Sequence, residues 1–151
     1  MEKSVDDGRL TFGLTACFAF VILYSNKEVR QDVAFDYLTV DEFQDTNTLQ
    51  LMIAMMVLRK PNMCAVGDWR QGIYGFRYVS VENILDFAGR LRALRRVLND
   101  DGNLRVPYQV PQSSDDIALL PLKVSYRSSK AVIHNSYLAL TLKASDRKVP
   151  R

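Results

Sequence analysis

The run Phe35-Asp36-Tyr37-Leu38-Thr39-Val40-Asp41-Glu42-Phe43-Gln44-Asp45-Thr46 decides how the rest of the chain is read. Its first half is rich in aromatic and β-branched residues, which pack well on a pleated surface, and it runs straight into a cluster of acids. This predicts a buried strand over 35–40 with carboxylates at its tip. From Thr46 onward, Leu49, Met52, Ile53, Met56 and Val57 recur at helical spacing, and Pro61 blocks continuation beyond Lys60. Met63 to Val66 predicts a second short strand, and Gly67 to Tyr78 a loop. Val81, Ile84, Leu85, Ala88, Leu91, Leu94 and Leu98 then mark one face of a long helix, with Ser80 placed to cap it. Upstream, Leu14 to Tyr24 is apolar almost all round and bounded by Gly13 and Ser25-Asn26, which describes a core helix. Helix, strand, helix, strand, helix is the order expected of an α/β domain. Its parallel sheet is joined by crossover helices, and ligands collect at the carboxyl ends of the strands.

Downstream, the stretch 99–118 contains Pro107, Pro111 and the turn-forming run Asn99-Asp100-Asp101-Gly102-Asn103, and reads as an irregular insertion. Leu119 to Val124 predicts a third strand, with Pro121 confining its start to an edge or bulge. Ser128 or Ser129 opens a last helix through Val132, Ile133, Tyr137 and Leu140. Residues 1–142 are thus expected to form the domain and 143–151 a basic tail that frays. At 151 residues and 48% hydrophobic content, one such domain can bury an ordinary core. The net charge of +3 suits a polyanion partner without requiring one. Cys17 and Cys64 sit in apolar runs with no metal-ligand spacing, which favours reduced thiols inside a cell, in the cytoplasm or nucleoid. The apolar stretch Leu10 to Tyr24 falls short of the roughly 20 residues that span a bilayer, so no membrane partner is expected.

An Asp-Glu pair directly after a strand is what a phosphoryl-transfer site requires. One carboxylate holds the magnesium that bridges the phosphates, and its neighbour orients or deprotonates the attacking water. Asp41 takes the metal role in this reading and Glu42 that of the base. Adjacent acids alone are more often solvated surface. His134, the single histidine, lies beside Ile133 on the last helix and reads as surface or core; Arg90, Arg92, Arg95 and Arg96 suit the end of a helix and its solvated face.

The longer string Val40-Asp41-Glu42-Phe43-Gln44-Asp45-Thr46-Asn47, with Gln50 beyond it, closely resembles motif II of the UvrD/Rep superfamily 1 DNA helicases. Ala65-Val66-Gly67-Asp68-Trp69-Arg70-Gln71-Gly72-Ile73-Tyr74-Gly75-Phe76-Arg77 resembles their motif III, and Tyr126-Arg127-Ser128-Ser129 their motif IV. Leu10-Thr11-Phe12 and the following apolar helix resemble the segment that leads into motif II. Three motifs stand in the family's order over roughly Leu10 to Leu142. The resemblance implies part of the first RecA-like motor domain of a P-loop NTPase, using ATP and Mg2+, and a motor moving three-prime to five-prime on single-stranded DNA. It further implies that Gln71 reaches the γ-phosphate and reports its presence to the DNA site. Arg127 would place a guanidinium on the same phosphate as an arginine finger, and Tyr126 would stack on the adenine. Tyr74, Phe76 and Arg77 would lie on single-stranded DNA, where aromatic faces stack on bases; the alternative for Tyr74 and Phe76 is core packing.

The sequence also departs from that family. A working motor has a Walker A loop, G-x-x-x-x-G-K-[ST], whose backbone N–H groups and lysine hold the phosphates. Gly8 and Gly13 have its spacing but are followed by Leu14, and Gly67 and Gly72 are followed by Ile73-Tyr74. The strand carrying that loop, the later motifs V and VI and the second motor domain are likewise expected to be absent. Tyr78-Val79 stands where the family usually has Gly-Ala, Gly72 where Ser is common, and Ser125 where Asn commonly precedes the Tyr-Arg pair. An incomplete sheet leaves unpaired edge and apolar surface, so the chain is expected to be inactive alone and to self-associate or to meet the remainder of a motor. Two further readings stay open: a truncated module that binds nucleic acid or a helicase partner without catalysis, and a regulatory pseudo-ATPase. The second is disfavoured by the intact Asp41, Glu42, Gln71 and Arg127.

Overall fold

The computed structural model describes residues 11–72, 82–100 and 117–145. The chain divides into two compact units, 1–117 and 118–151. In the first unit, helix α1 (Phe12–Ser25) begins where the Thr11 hydroxyl accepts the Leu14 N–H at 3.3 Å, a side-chain cap for an otherwise orphaned donor. At its end, Asn26 both closes α1 and caps α2 (Lys27–Asp32) by accepting the Val29 N–H at 3.0 Å. The Arg30 guanidinium folds back onto the Leu23 and Tyr24 carbonyls, placing a cation on the negative end of α1.

Strand β1 (Leu38–Val40) pairs in parallel with β2 (Met63–Ala65), in the register Leu38 to Met63, Thr39 to Cys64 and Val40 to Ala65. Helix α3 (Thr48–Met56) crosses between them. Its start is a capping box: Asn47 Oδ1 accepts the Gln50 N–H and Gln50 Oε1 accepts the Asn47 N–H, both at 2.9 Å. The helix packs against α1 on one side and against α5 (Phe87–Asn99) on another. Between these elements lies the core of Leu23, Phe43, Leu51, Met55, Met56, Leu58, Leu91, Leu94 and Leu98. Short helix α4 (Glu82–Leu85) holds Asn83 wholly buried. Its side chain donates to the Thr46 carbonyl at 3.0 Å and accepts from Arg90 Nε at 3.0 Å, while Arg90 Nη2 donates to Thr48 Oγ1 at 2.9 Å. Arg90 is therefore spent on joining α5 to the start of α3. The result is a helix-rich α/β unit with a small parallel sheet, compatible with part of a RecA-like domain.

Several expectations need correction. The first strand is three residues long and only half-buried, with Thr39 exposed, and Phe35 contributes a single bridge to Leu58. That bridge also explains why α3 stops at Met56 well before Pro61: Phe35 N–H donates to Val57 O at 2.8 Å and Arg59 N–H to Phe35 O at 2.9 Å, which pulls 57–59 into extended pairing. Because α3 has neighbours on two sides, Leu51 and Met55 are fully buried outside the expected stripe, whereas Leu49, Met52, Ile53 and Val57 are half-buried. The helix α1 forms as expected but is not buried all round; Leu23 is buried, while Phe18, Val21 and Ile22 are exposed. In place of one long helix over 81–98 there are two, broken at Asp86. Its carboxylate accepts the Gly89 N–H at 3.1 Å and so starts α5 afresh, as short acids do when they compete with helix continuation. The expected cap, Ser80, lies outside the described residues, as does most of the stretch 99–118.

In the second unit, the expected strand Leu119–Val124 has no regular structure, and Leu119, Leu120, Leu122 and Val124 are exposed. A strand exists only with a ladder partner, and none is formed among the described residues. Helix α6 (Lys130–Ser145) forms where expected but continues through 143–145, which were expected to fray; Ser129 Oγ accepts the Val132 N–H at 3.4 Å at its start.

Candidate active site

At the tip of β1 the chain turns sharply through Asp41 and Glu42 into a 3-10 turn, Phe43–Asp45. Glu42 occupies the left-handed region, φ 49° and ψ 42°, the one non-glycine residue with positive φ among the described residues. Such a conformation costs a β-carbon-bearing residue about 1–2 kcal/mol and persists where its surroundings hold it. Three contacts do so here. Asp41 Oδ1 accepts the Glu42 N–H at 2.9 Å, the Glu42 carbonyl accepts the Asp45 N–H at 2.9 Å, and Glu42 Oε2 accepts Gln44 Nε2 at 2.6 Å. Phe43 anchors the turn in the core, edge-on to Phe87 at 5.4 Å, and its N–H donates to Val66 O at 2.8 Å.

The second loop starts where β2 ends. Gly67 passes so close that an added β-carbon would stand 2.6 Å from Gln44 Oε1 and 3.1 Å from the backbone nitrogens of Phe43 and Gln44. That approach lets the Asp68 N–H donate to Gln44 Oε1 at 3.1 Å. Asp68 then organises a 3-10 turn, Trp69–Gln71: Oδ1 accepts the Arg70 N–H at 3.0 Å and Oδ2 accepts Gln71 Nε2 at 3.2 Å. The Arg70 guanidinium lies over the Trp69 ring, 5.0 Å from its centroid. The two strand-tip loops are consequently one hydrogen-bonded assembly running Glu42, Gln44, Asp68, Gln71.

Beside this assembly an open depression of about 490 Å³ has Leu38, Val40, Ile53 and Val57 in its lining and Asp41, Glu42 and Asp45 among its polar residues. Asp45 Oδ1 is buried without a hydrogen-bond partner among the described residues. Asp41 and Glu42 are both exposed, as groups meeting a soluble ligand must be.

Of the residues singled out from the sequence, Asp41, Glu42 and Gln71 share this assembly. Tyr74, Phe76 and Arg77 lie outside the described residues. Tyr126 and Arg127 belong to the second unit, in a bend just ahead of α6, where Tyr126 is 95% exposed. Gln44 and Asp68, which tie the loops together, were missed. Their one sequence signal is an amide two residues past the acidic pair together with a glycine two residues after the second strand.

A parallel β-α-β unit with an acidic pair at one strand tip and a polar turn at the next gathers its polar groups at the carboxyl ends of the strands, where open α/β sheets bind ligands. Residues 2–92, more than half of the chain, match the family model for the UvrD/REP helicase N-terminal domain, and the chain belongs to that family. It is similar to the ATP-dependent DNA helicase PcrA of Staphylococcus epidermidis and to that of Staphylococcus aureus, each 46% identical over 54 residues. That match covers 35% of this chain and 7% of the relative. Among the described residues, no helix is long and apolar enough to cross a membrane.

Proposed function

We propose that this chain supplies the motif II to motif IV portion of the first motor domain of an ATP-dependent three-prime to five-prime DNA helicase, which couples ATP hydrolysis to movement on single-stranded DNA. The observation that carries the reading is the acidic pair at the β1 tip, hydrogen-bonded through Gln44 and Asp68 to Gln71. Magnesium is held through one or two carboxylates plus substrate phosphates rather than by an all-protein cage, and exposed Asp41 matches that donor set. When bound, ATP with its magnesium supplies the transferable phosphoryl group. Glu42 orients or deprotonates the attacking water, and the Gln71 amide reads the γ-phosphate. For the second unit the family resemblance would give Arg127 a phosphate and Tyr126 the adenine, and Tyr74, Phe76 and Arg77 would bear on the DNA strand.

These 151 residues hold no Walker A run, so the phosphate-binding loop and its strand have to come from outside them. The exposed apolar residues of α1 support a companion, either the remainder of a motor or a second copy. The test is magnesium-dependent ATP hydrolysis with and without single-stranded DNA, first for the chain alone and then with a partner carrying the Walker A loop and second motor domain. Turnover is expected only in the combined sample and is lost in Glu42→Gln. Turnover that survives Glu42→Gln in the combined sample overturns the role of Glu42. DNA-stimulated turnover by the chain alone overturns the need for an outside loop.

A further inference from the structure

A glutamine amide in a loop is ordinarily solvated, because water satisfies its two donors and its acceptor at no cost. Gln44 is 3% exposed, and both ends of its amide are used on different loops. The nitrogen donates to Glu42 Oε2 at 2.6 Å, a short charge-assisted contact, while the oxygen accepts the Asp68 backbone N–H at 3.1 Å. Donation from the nitrogen to an anion makes the amide oxygen a better acceptor, so the two bonds strengthen each other. The backbone is shaped to permit this bridge. Gly67 leaves the space that Gln44 Oε1 occupies, and Glu42 holds a left-handed backbone while its carboxylate accepts from the amide.

We infer that Gln44 is a positioning residue: it fixes the carboxylate of Glu42 and ties that carboxylate to the loop carrying Asp68 and Gln71, so that a change at either end is felt at the other. The functional weight of this tie rests on the reading of Glu42 as the water-activating base and Gln71 as the phosphate sensor. If Gln71 is drawn toward a γ-phosphate, its bond to Asp68 Oδ2 is the one that gives way, and Asp68 is the residue whose N–H holds Gln44 in place. The base would then be held differently in the presence and absence of the terminal phosphate. Gln44 engages one carboxylate oxygen, and by fixing the side-chain torsions of Glu42 it also orients the other.

The test needs neither nucleotide nor turnover, and it is read on this chain alone. Amide hydrogen exchange and the proton shift of the Asp68 N–H are measured by NMR in the parent, Glu42→Ala, Gln44→Leu and the double variant. Amides of Leu91 to Leu98 in α5 serve as the folding reference. Removing the acceptor of this part-buried bond should speed Asp68 exchange about tenfold in Gln44→Leu, and loss of the cooperative part should speed it about threefold in Glu42→Ala. The double variant should be no faster than Gln44→Leu, since both act through one bridge. Glu42 is exposed, so Glu42→Ala keeps the fold even where Gln44→Leu does not, and it carries the decision. An Asp68 amide indifferent to Glu42→Ala overturns the tie, as does additivity in the double variant. A motor whose ATP turnover ignores Glu42→Gln would overturn the proposed function while leaving the Asp68 response intact, so the two failures are distinguishable.

Discussion

The segment from Phe35 to Gln71 and the segment from Ala118 to Ser145 are both rich in apolar residues and both carry residues expected to do chemistry, yet they fold very differently. In the first, β1 and β2 complete each other's hydrogen bonds, α3 lies across the connection, and Phe43, Leu51, Met55 and Leu58 disappear from solvent. In the second, Leu119, Leu120, Leu122 and Val124 have comparable strand propensity but no ladder partner among the described residues, and Leu122 is 89% exposed. Even α6, which needs only its own backbone bonds and the Ser129 cap to form, leaves Val132, Ile133, Tyr137 and Leu138 exposed. Helices are closed by neighbours in sequence, whereas strands are closed by distant ones.

The largest effect expected from this contrast is at Leu51 on α3, which is fully buried in the core. Leu51→Ala should lower the unfolding free energy by about 2–5 kcal/mol in urea titration followed by circular dichroism, the range for deleting a buried aliphatic side chain. A loss below 1 kcal/mol would mean that the core is far looser than its burial suggests. Next comes Gly67→Ala, where the new methyl meets both the Gln44 side chain and the turn's backbone. It should cost about 1–3 kcal/mol as overpacking does, and it should broaden or shift the Gln71 side-chain amide resonances; unchanged resonances would refute the close approach. Asn47→Ala removes half of the capping box on α3 and should cost about 1 kcal/mol, read as faster amide exchange at Thr48 to Leu51. Smallest of all is Leu122→Ser, expected to change stability by less than about 0.5 kcal/mol because the side chain is already in water. A clear destabilisation there would show that the segment finds a partner in solution, which would erase the contrast between the two regions.

The chemistry-bearing string was readable before any coordinates because it is contiguous: acids at the end of an aromatic and β-branched run lie at a strand tip by connectivity alone. An apolar run placed α1, and helix spacing placed α3, the face shared by α4 and α5, and α6, for the same local reason. The errors share a different cause. The end of α3 is set by Phe35, more than twenty positions earlier, through its bonds to Val57 and Arg59. The break at Asp86 is a choice between capping and continuing that apolar periodicity does not record. The burial of α3 on two sides depends on α1 and α5 arriving there together.

From its residues alone, the first helix, the parallel β-α-β arrangement, the position of Asp41 and Glu42 at a strand tip and membership of a helicase family could all be reached. Each of these is written in neighbours along the chain or in contiguous motifs. Tertiary structure alone decided that Gln44 would be buried between Glu42 and Asp68, that Gly67 would yield the space for it, and that Arg90 would hold Asn83 and Thr48. Those contacts join residues 24 positions apart at Gln44 and Asp68 and 42 apart at Arg90 and Thr48. A buried polar group must find its partner wherever the fold brings one, and no local pattern specifies where that will be.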